Sequence, residues 1–250
     1  MAEEKITALV TGASSGLGAE FCRQLAPRCD VIIAVARRGE RLAALAGELE
    51  AEARLEPVVA DLTGIEGVAR TLEALRQKGP VDYLVNNAGF STFGDFAAND
   101  IQDQRAMVSL HCDAAITLCR AAIPFMRERG GGHIINVSSV GAFLPGRGLA
   151  VYGATKAFLN YYSLALQAEL AGTGIRVQAL CPGYIRTGFH DEMAAEGFDR
   201  SRIPADMWSD APDVVARSLA ALDGDGVLVV PGEGNLALAR LGLQQQLDGL

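Results

Sequence analysis

The chain has 250 residues, 50% of them hydrophobic and 21% charged, with a formal net charge of −8 at pH 7. That balance excludes the disordered and low-complexity classes, and the acidity argues against a nucleic-acid or anionic-membrane partner. Five cysteines, Cys22, Cys29, Cys112, Cys119 and Cys181, form no C-x-x-C pair and no cluster with histidine at metal-ligand spacing. They are expected to be reduced thiols in a cytoplasmic protein, and no metal is implied.

In chain order, the start MAEEKITALV is acidic and shows no signal-peptide n-region. Short β-branched runs then alternate with helical stretches. ITALV precedes a helix over 17–28, VIIAVA one over 38–53, LEPVVA one over 65–77, YLVNNA one over 100–129, and HIINVS one over 150–171; IRVQALC and VLVVP follow. The apolar strand-like run VIIAVA is too short to span a bilayer. Strands separated by helices make a parallel sheet with right-handed crossovers. The expected fold is therefore α/β, a doubly wound parallel sheet of the Rossmann kind. No repeat, linker or composition change divides residues 1–250, so one domain is expected. The stretch 188–212 is long for a connection and is expected to form a short substrate lid.

The first strand runs into TGASSGLG, residues 11–18. Gly12, Gly16 and Gly18, with Ser14, Ser15 and Leu17 between them, suit a tight turn whose following helix N-terminus faces a pyrophosphate. The second strand ends at Ala36, followed by Arg37 and Arg38 instead of the acid that holds an NAD ribose. Arginine suits a 2′-phosphate, so NADP is expected and NAD is disfavoured; a solvated helix start is the competing reading. Asp61, with Leu62 beside it, is a candidate for the adenine edge or for a helix cap.

VYGATKAF, residues 151–158, places Tyr152 and Lys156 at i and i+4, on one helix face. A neighbouring ammonium favours the phenolate and lowers a tyrosine pKa. Ser139 ends the fifth strand, at the edge of the sheet where open α/β folds bind ligands.

Together TGASSGLG, NNAG at 86–89, Ser139, Tyr152/Lys156 and CPGYIRT at 181–187 resemble the short-chain dehydrogenase/reductase family, over about residues 6–232. The resemblance implies hydride exchange between a nicotinamide cofactor and a carbonyl or alcohol. It makes Tyr152 the general acid or base, has Lys156 tune it and hold the nicotinamide ribose, and gives Ser139 the substrate oxygen. It places Asn87, Ala88 and Gly89 beside the adenosine ribose, and Pro182, Gly183, Ile185 and Thr187 by the nicotinamide. Arg37 matches the basic position of NADP-preferring members, with Arg38 and Ser14 as further candidates. A homodimer or homotetramer through the helices of 100–129 and 150–171 is implied, with the Cys112/Cys119 side as a fitting face.

The helix over 107–126 has an apolar stripe with His111 in its middle. Counting back from Pro124, His111 occupies a position where many family members carry an asparagine that stabilises a local helix distortion and holds a water in a proton relay. Three readings stand: a structural buried histidine, a relay group in place of the asparagine, and a metal ligand without evident partners. The relay reading is the working hypothesis. Phe90, Phe93, Phe143, Leu144, Tyr184, Phe189, Met193, Met207 and Trp208 suggest an apolar or aromatic substrate, with His190 and Arg147 as polar extras. The tail NLALARLGLQQQL suggests an amphipathic helix against a partner, the protein's own surface or, least of all, a membrane. The competing function is a dinucleotide-binding regulator that keeps the fold without turnover.

Overall fold

The computed structural model describes residues 5–189 and 197–250. The β-branched runs form strands β1 (Thr7–Thr11), β2 (Val31–Ala36), β3 (Arg54–Val59), β4 (Tyr83–Asn86), β5 (Gly132–Val137) and β6 (Ile175–Leu180). Two short strands, β7 (Tyr184–Ile185) and β8 (Trp208–Ser209), pair with each other, and β9 (Leu228–Val229) closes the main sheet. The seven-stranded sheet has the order β3-β2-β1-β4-β5-β6-β9, parallel throughout. The order reverses beside β1, so the crevice at the carboxyl ends of β1 and β4 is the topological switch point where such folds bind ligands.

Because side chains alternate along a strand, β1 feeds two cores. Ala8 and Val10 face α1 (Gly16–Leu25), α2 (Gly39–Leu49) and α7 (Ala211–Ala220) through Phe21, Leu25, Leu42, Val215 and Leu219. Leu9 faces the opposite layer, where α3 (Ile65–Lys78), α5 (Ala114–Glu128) and α6 (Ala150–Glu169) contribute Leu75, Leu118, Met126 and Leu166. Both faces are covered, which is why the central strands read as unbroken apolar runs.

The expected helix over 100–129 is α4 (Ile101–Val108) and α5 joined by a π-helical turn at Ser109–Asp113. By length and composition this run could cross a bilayer, yet Leu118, Cys119, Ala122 and Met126 pack on the sheet. Cys112 and Cys119 are therefore buried, with Cys119 Sγ 3.3 Å from Asn86 Nδ2. The exposed apolar side of the run carries Val108 and Ile116 instead, which corrects the expectation of a Cys112/Cys119 surface.

Other boundaries also move. The first helix ends at Leu25, before the 3₁₀ turn that holds Pro27, and the second closes at Leu49. Helix α7 forms where no helix was expected. The tail forms α8 (Glu233–Asp248), which lays Ala239 and Gly242 on the protein's own surface at Phe143 and leaves Leu243 and Leu247 exposed.

Candidate active site

The glycine loop is built by close approach. Gly12 has φ +68°, and a Cβ there would lie 2.7 Å from Asn87 Nδ2, while one at Gly18 would strike the Gly12 carbonyl. Gly18 thus packs α1 against the loop and does not line the cavity. Asn87 is held by its Nδ2 donating to Thr11 O (2.8 Å), and the Asn87 and Ala88 N–H groups donate to Thr11 Oγ1. The N-terminus of α1 has no acidic residue in its first turn and opens onto a cavity of about 440 Å³.

Every other predicted cofactor residue lines that cavity: Gly12, Ser14, Ser15, Gly16, Leu17, Arg37, Arg38, Asp61, Leu62, Asn87, Ala88, Gly89, Tyr152, Lys156, Pro182, Gly183, Ile185 and Thr187. At its rim, Arg38 donates through Nε and Nη2 to Ser14 Oγ (3.2 and 2.9 Å) and through Nη2 to Ser15 Oγ (2.7 Å). Arg37 is exposed beside it. Asp61 both lines the cavity and caps a turn, its Oδ1 accepting from Thr63 N and Oγ1. Helix amides without a competing acid, a backbone cradle that a side chain would fill, and two guanidinium groups at one end fit a phosphorylated dinucleotide.

At the other end stand Ser139, Tyr152 and Lys156. Ser139 Oγ accepts from Gly141 N at 3.0 Å, which turns its proton away from that amide and toward Tyr152. Lys156 is 5% exposed, donates from Nζ to Val137 O at 2.8 Å, and lies 5.6 Å from the centroid of the Tyr152 ring. Ser138 Oγ donates to Lys156 O (2.9 Å), pinning α6 to the end of β5. Burial lowers the Lys156 pKa to about 8. Burial also raises that of Tyr152, against the opposing hydrogen bond from Ser139. Beneath them, Asn86 Nδ2 donates to Asn136 Oδ1 and Asn136 Nδ2 to Ser163 Oγ, both at 2.9 Å, tying β4, β5 and α6 together.

His111 lies behind the cavity wall, 2% exposed, on the π turn. Its Nδ1 is 2.8 Å from Thr155 Oγ1, and its Nε2 accepts from Phe90 N at 3.3 Å. No group of three or more His, Cys, Asp or Glu side chains able to hold a metal occurs among the described residues.

Of the expected substrate residues, Phe90, Leu144, Tyr184 and Phe189 line the cavity. Phe143 is core, packed with Ala179 and Cys181. Phe93 packs on Phe198 and Trp208 on Tyr184; Met207 and Arg147 are outside the lining, and His190 and Met193 lie outside the described residues. Sequence reasoning missed Leu110, Leu149, Phe198, Asn235 and Leu238 in the lining. It also missed Thr155, one helical turn from Tyr152, which was its only signal.

Fold and site together define a nucleotide-dependent oxidoreductase class. A sequence model described as short chain dehydrogenase matches residues 6–196, and the chain belongs to the short-chain dehydrogenase/reductase family. It is 36% identical over 203 residues to a probable NADP-dependent dehydrogenase of Haemophilus influenzae, covering 77% of this chain and 80% of that one. A short-chain dehydrogenase from Sphingobium yanoikuyae in complex with NADPH superposes with a TM-score of 0.83 at 33% identity, covering 96% and 95% of the two chains. A bulky-bulky ketone specific alcohol dehydrogenase from Comamonas testosteroni gives 0.79 at 32% identity, covering 96% and 94%.

Proposed function

We propose that the chain is a single-domain, NADP(H)-dependent oxidoreductase that interconverts an apolar or aromatic carbonyl compound and its secondary alcohol, with Tyr152 as general acid and base. The observation that carries this reading is one cavity with Arg37, Arg38 and the glycine loop at one end and Ser139, Tyr152 and Lys156 at the other. When bound, the nicotinamide cofactor supplies the hydride. In this reading Gly12, Ser14–Leu17, Arg38 and Arg37 hold its phosphates, and Asn87–Gly89, Lys156, Ile185 and Thr187 hold its ribose and amide. Ser139 donates its hydroxyl proton to the substrate oxygen. Tyr152 gives its phenolic proton to the same oxygen in reduction, and the Lys156 ammonium stabilises the phenolate that remains.

Among the described lining residues the charged ones are Arg37, Arg38 and Asp61 beside the glycine loop, and Lys156. Phe90, Leu110, Leu144, Leu149, Phe189 and Phe198 give the remaining wall its apolar surface, beside the uncharged polar groups of Tyr184, Thr187 and Asn235. A carboxylate there would lose water without gaining a partner, which favours uncharged ketones. Gly188, Phe189 and Phe198 line the cavity and support the expected lid over 188–212, of which 190–196 lie outside the described residues. The five buried, unpaired thiols support a reducing, cytoplasmic setting. Val108 and Ile116 on α4 and α5, with Tyr161 and Leu164 on α6, support a homodimer or homotetramer.

Loss of NADPH absorbance against a panel of aryl ketones, aliphatic ketones and keto acids tests the proposal. Turnover of uncharged ketones, abolished in Tyr152→Phe without loss of NADPH binding, is expected. Binding without consumption across the panel would favour the regulator; efficient turnover of keto acids only would overturn the substrate class.

A further inference from the structure

The π turn aims His111 into a space where every neighbouring hydrogen-bonding group is already oriented, and this fixes its protonation. Phe90 N is a backbone donor, so Nε2, 3.3 Å away, must be the bare nitrogen. The single proton of a neutral imidazole then sits on Nδ1. The other side is compatible with this: Thr155 Oγ1 lies 2.8 Å from both Tyr152 O and Nδ1, and with its proton on the carbonyl it accepts from Nδ1–H. The backbone donor sets the tautomer and the hydroxyl on the opposite side of the ring accommodates it.

A second proton has no acceptor. It would set Nε2–H against Phe90 N–H and place a cation near Lys156, whose Nζ and His111 Nε2 both border Gly89. Among the described residues the other titratable groups beside the ring are Tyr152, edge-on at 6.0 Å between centroids, and the chain neighbour Cys112, whose thiol burial pushes up to about 11. Neither supplies a negative charge at neutral pH. A relay through His111 would have to break one of its two protein hydrogen bonds at each proton transfer.

We propose that His111 is a neutral positioning residue, a strut that holds the Asn87–Phe90 turn and the Tyr152–Lys156 turn of α6 at a fixed separation, and that it passes no proton on during turnover. The chain Phe90 N–H to His111, His111 Nδ1–H to Thr155, Thr155 to Tyr152 O links the cofactor-side turn to the backbone of the residue read above as the proton donor. The inference rests on that reading for its effect on catalysis, but the tautomer does not depend on it.

Two measurements test it. The first is nitrogen NMR of the histidine-labelled full chain, with His111→Asn to assign the signal. The strut requires an Nδ1–H tautomer that does not titrate between pH 5.5 and 9. An Nε2–H tautomer, or a protonation midpoint inside that range, overturns it, whether or not a substrate has been found. The second uses turnover. Thr155→Val removes the acceptor for Nδ1–H and leaves Nε2 untouched. It is expected to lower kcat roughly tenfold with KM for NADPH within about twofold and the pH midpoints of kcat unmoved. Thr155→Ser, which retains the hydroxyl, should recover most of that loss, and His111→Ala combined with Thr155→Val should cost little more than either alone. Parental kcat in Thr155→Val beside a shifted pH profile or altered solvent isotope effect in His111→Ala would identify a relay. If Thr155→Val does not fold, the NMR measurement and the Thr155→Ser profile still decide.

Discussion

Replacing Arg38 by alanine should convert an NADPH-preferring protein into one with little preference. A guanidinium has five N–H donors. In Arg38 the donors on Nε and Nη2 are spent on Ser14 and Ser15, which orients the fork and leaves those on Nη1 directed elsewhere. An ordered cation of this kind contributes about 1.5–3 kcal/mol through a charge-assisted hydrogen bond to a phosphate. Arg38 is exposed, so screening reduces this to roughly 1–2 kcal/mol, or about 5–30-fold. The assay is kcat/KM for NADPH and for NADH, each at low and high salt. Arg38→Ala should lose that factor with NADPH only, and the salt dependence of KM for NADPH should flatten. Arg37 has no such anchors, so Arg37→Ala should cost less. A preference unchanged within twofold would refute the argument. Equal losses for both cofactors would instead assign Arg38 to holding the serine loop.

Three further outcomes follow from the same geometry. Asn136→Ala leaves the Asn86 amide facing only a thiol and Ser163 Oγ without its donor; calorimetry should show a loss of roughly 2–3 kcal/mol, about 4–12 °C in Tm. A Cβ at Gly89 would meet His111 Nε2 at 2.8 Å and Lys156 Nζ at 3.7 Å, so Gly89→Ala should cost about 1–3 kcal/mol of stability and depress kcat more than KM for NADPH. Burial, then Lys156, holds His111 well below its ordinary pKa. The unfolded chain therefore takes up a proton near pH 6.5 that the fold refuses, so stability is full above that pH and is lost as pH falls below it. Between pH 7.5 and 5.5 this is worth roughly 1.4 kcal/mol, about 3–5 °C. His133 contributes in the same direction but is common to parent and variant, so the parent's Tm should fall more steeply with acid than that of His111→Asn; parallel slopes would count against a neutral His111.

Why some of this was legible in the sequence and some was not is a matter of range. The alternation of runs such as VIIAVA with amphipathic helices is local, and it led to the correct sheet type because both faces of each strand are covered. The glycine loop and the Tyr152/Lys156 spacing are likewise local, and the fold brings them to one cavity. Helix α7 left a usable trace, Pro212 at its start and Val214, Val215, Ser218 and Leu219 on its inner side, but it was hidden by the irregular segment before it. The π turn left no periodic trace: a uniform 100° per residue runs smoothly through Ser109–Asp113 and makes Cys112 and Cys119 look available, and only the family resemblance at His111 pointed to a distortion there. The partners of His111 are 21 and 44 residues away, beyond any periodic argument. Leu238 and Asn235 reach the cavity from α8, whose docking depends on Gly242 meeting the Phe143 carbonyl.

The electrostatics of the reacting end follow from burial more than from pairing. Burial pushes Tyr152 up and Lys156 down to about 8, so at neutral pH the phenol keeps its proton while roughly nine in ten lysines remain charged. The ammonium donates to Val137 O. The resting site therefore presents a proton and a cation together, the state that can protonate a carbonyl oxygen without prior rearrangement. The phenolate is the expensive state, and the Ser139 hydroxyl is the group that opposes burial of Tyr152; in the proposed reaction the Lys156 ammonium stabilises it as well. In the proposed reaction alcohol oxidation begins from that phenolate. It should therefore demand a higher pH than carbonyl reduction, but it gains little above about pH 8, because the ammonium that stabilises the phenolate is itself being lost there.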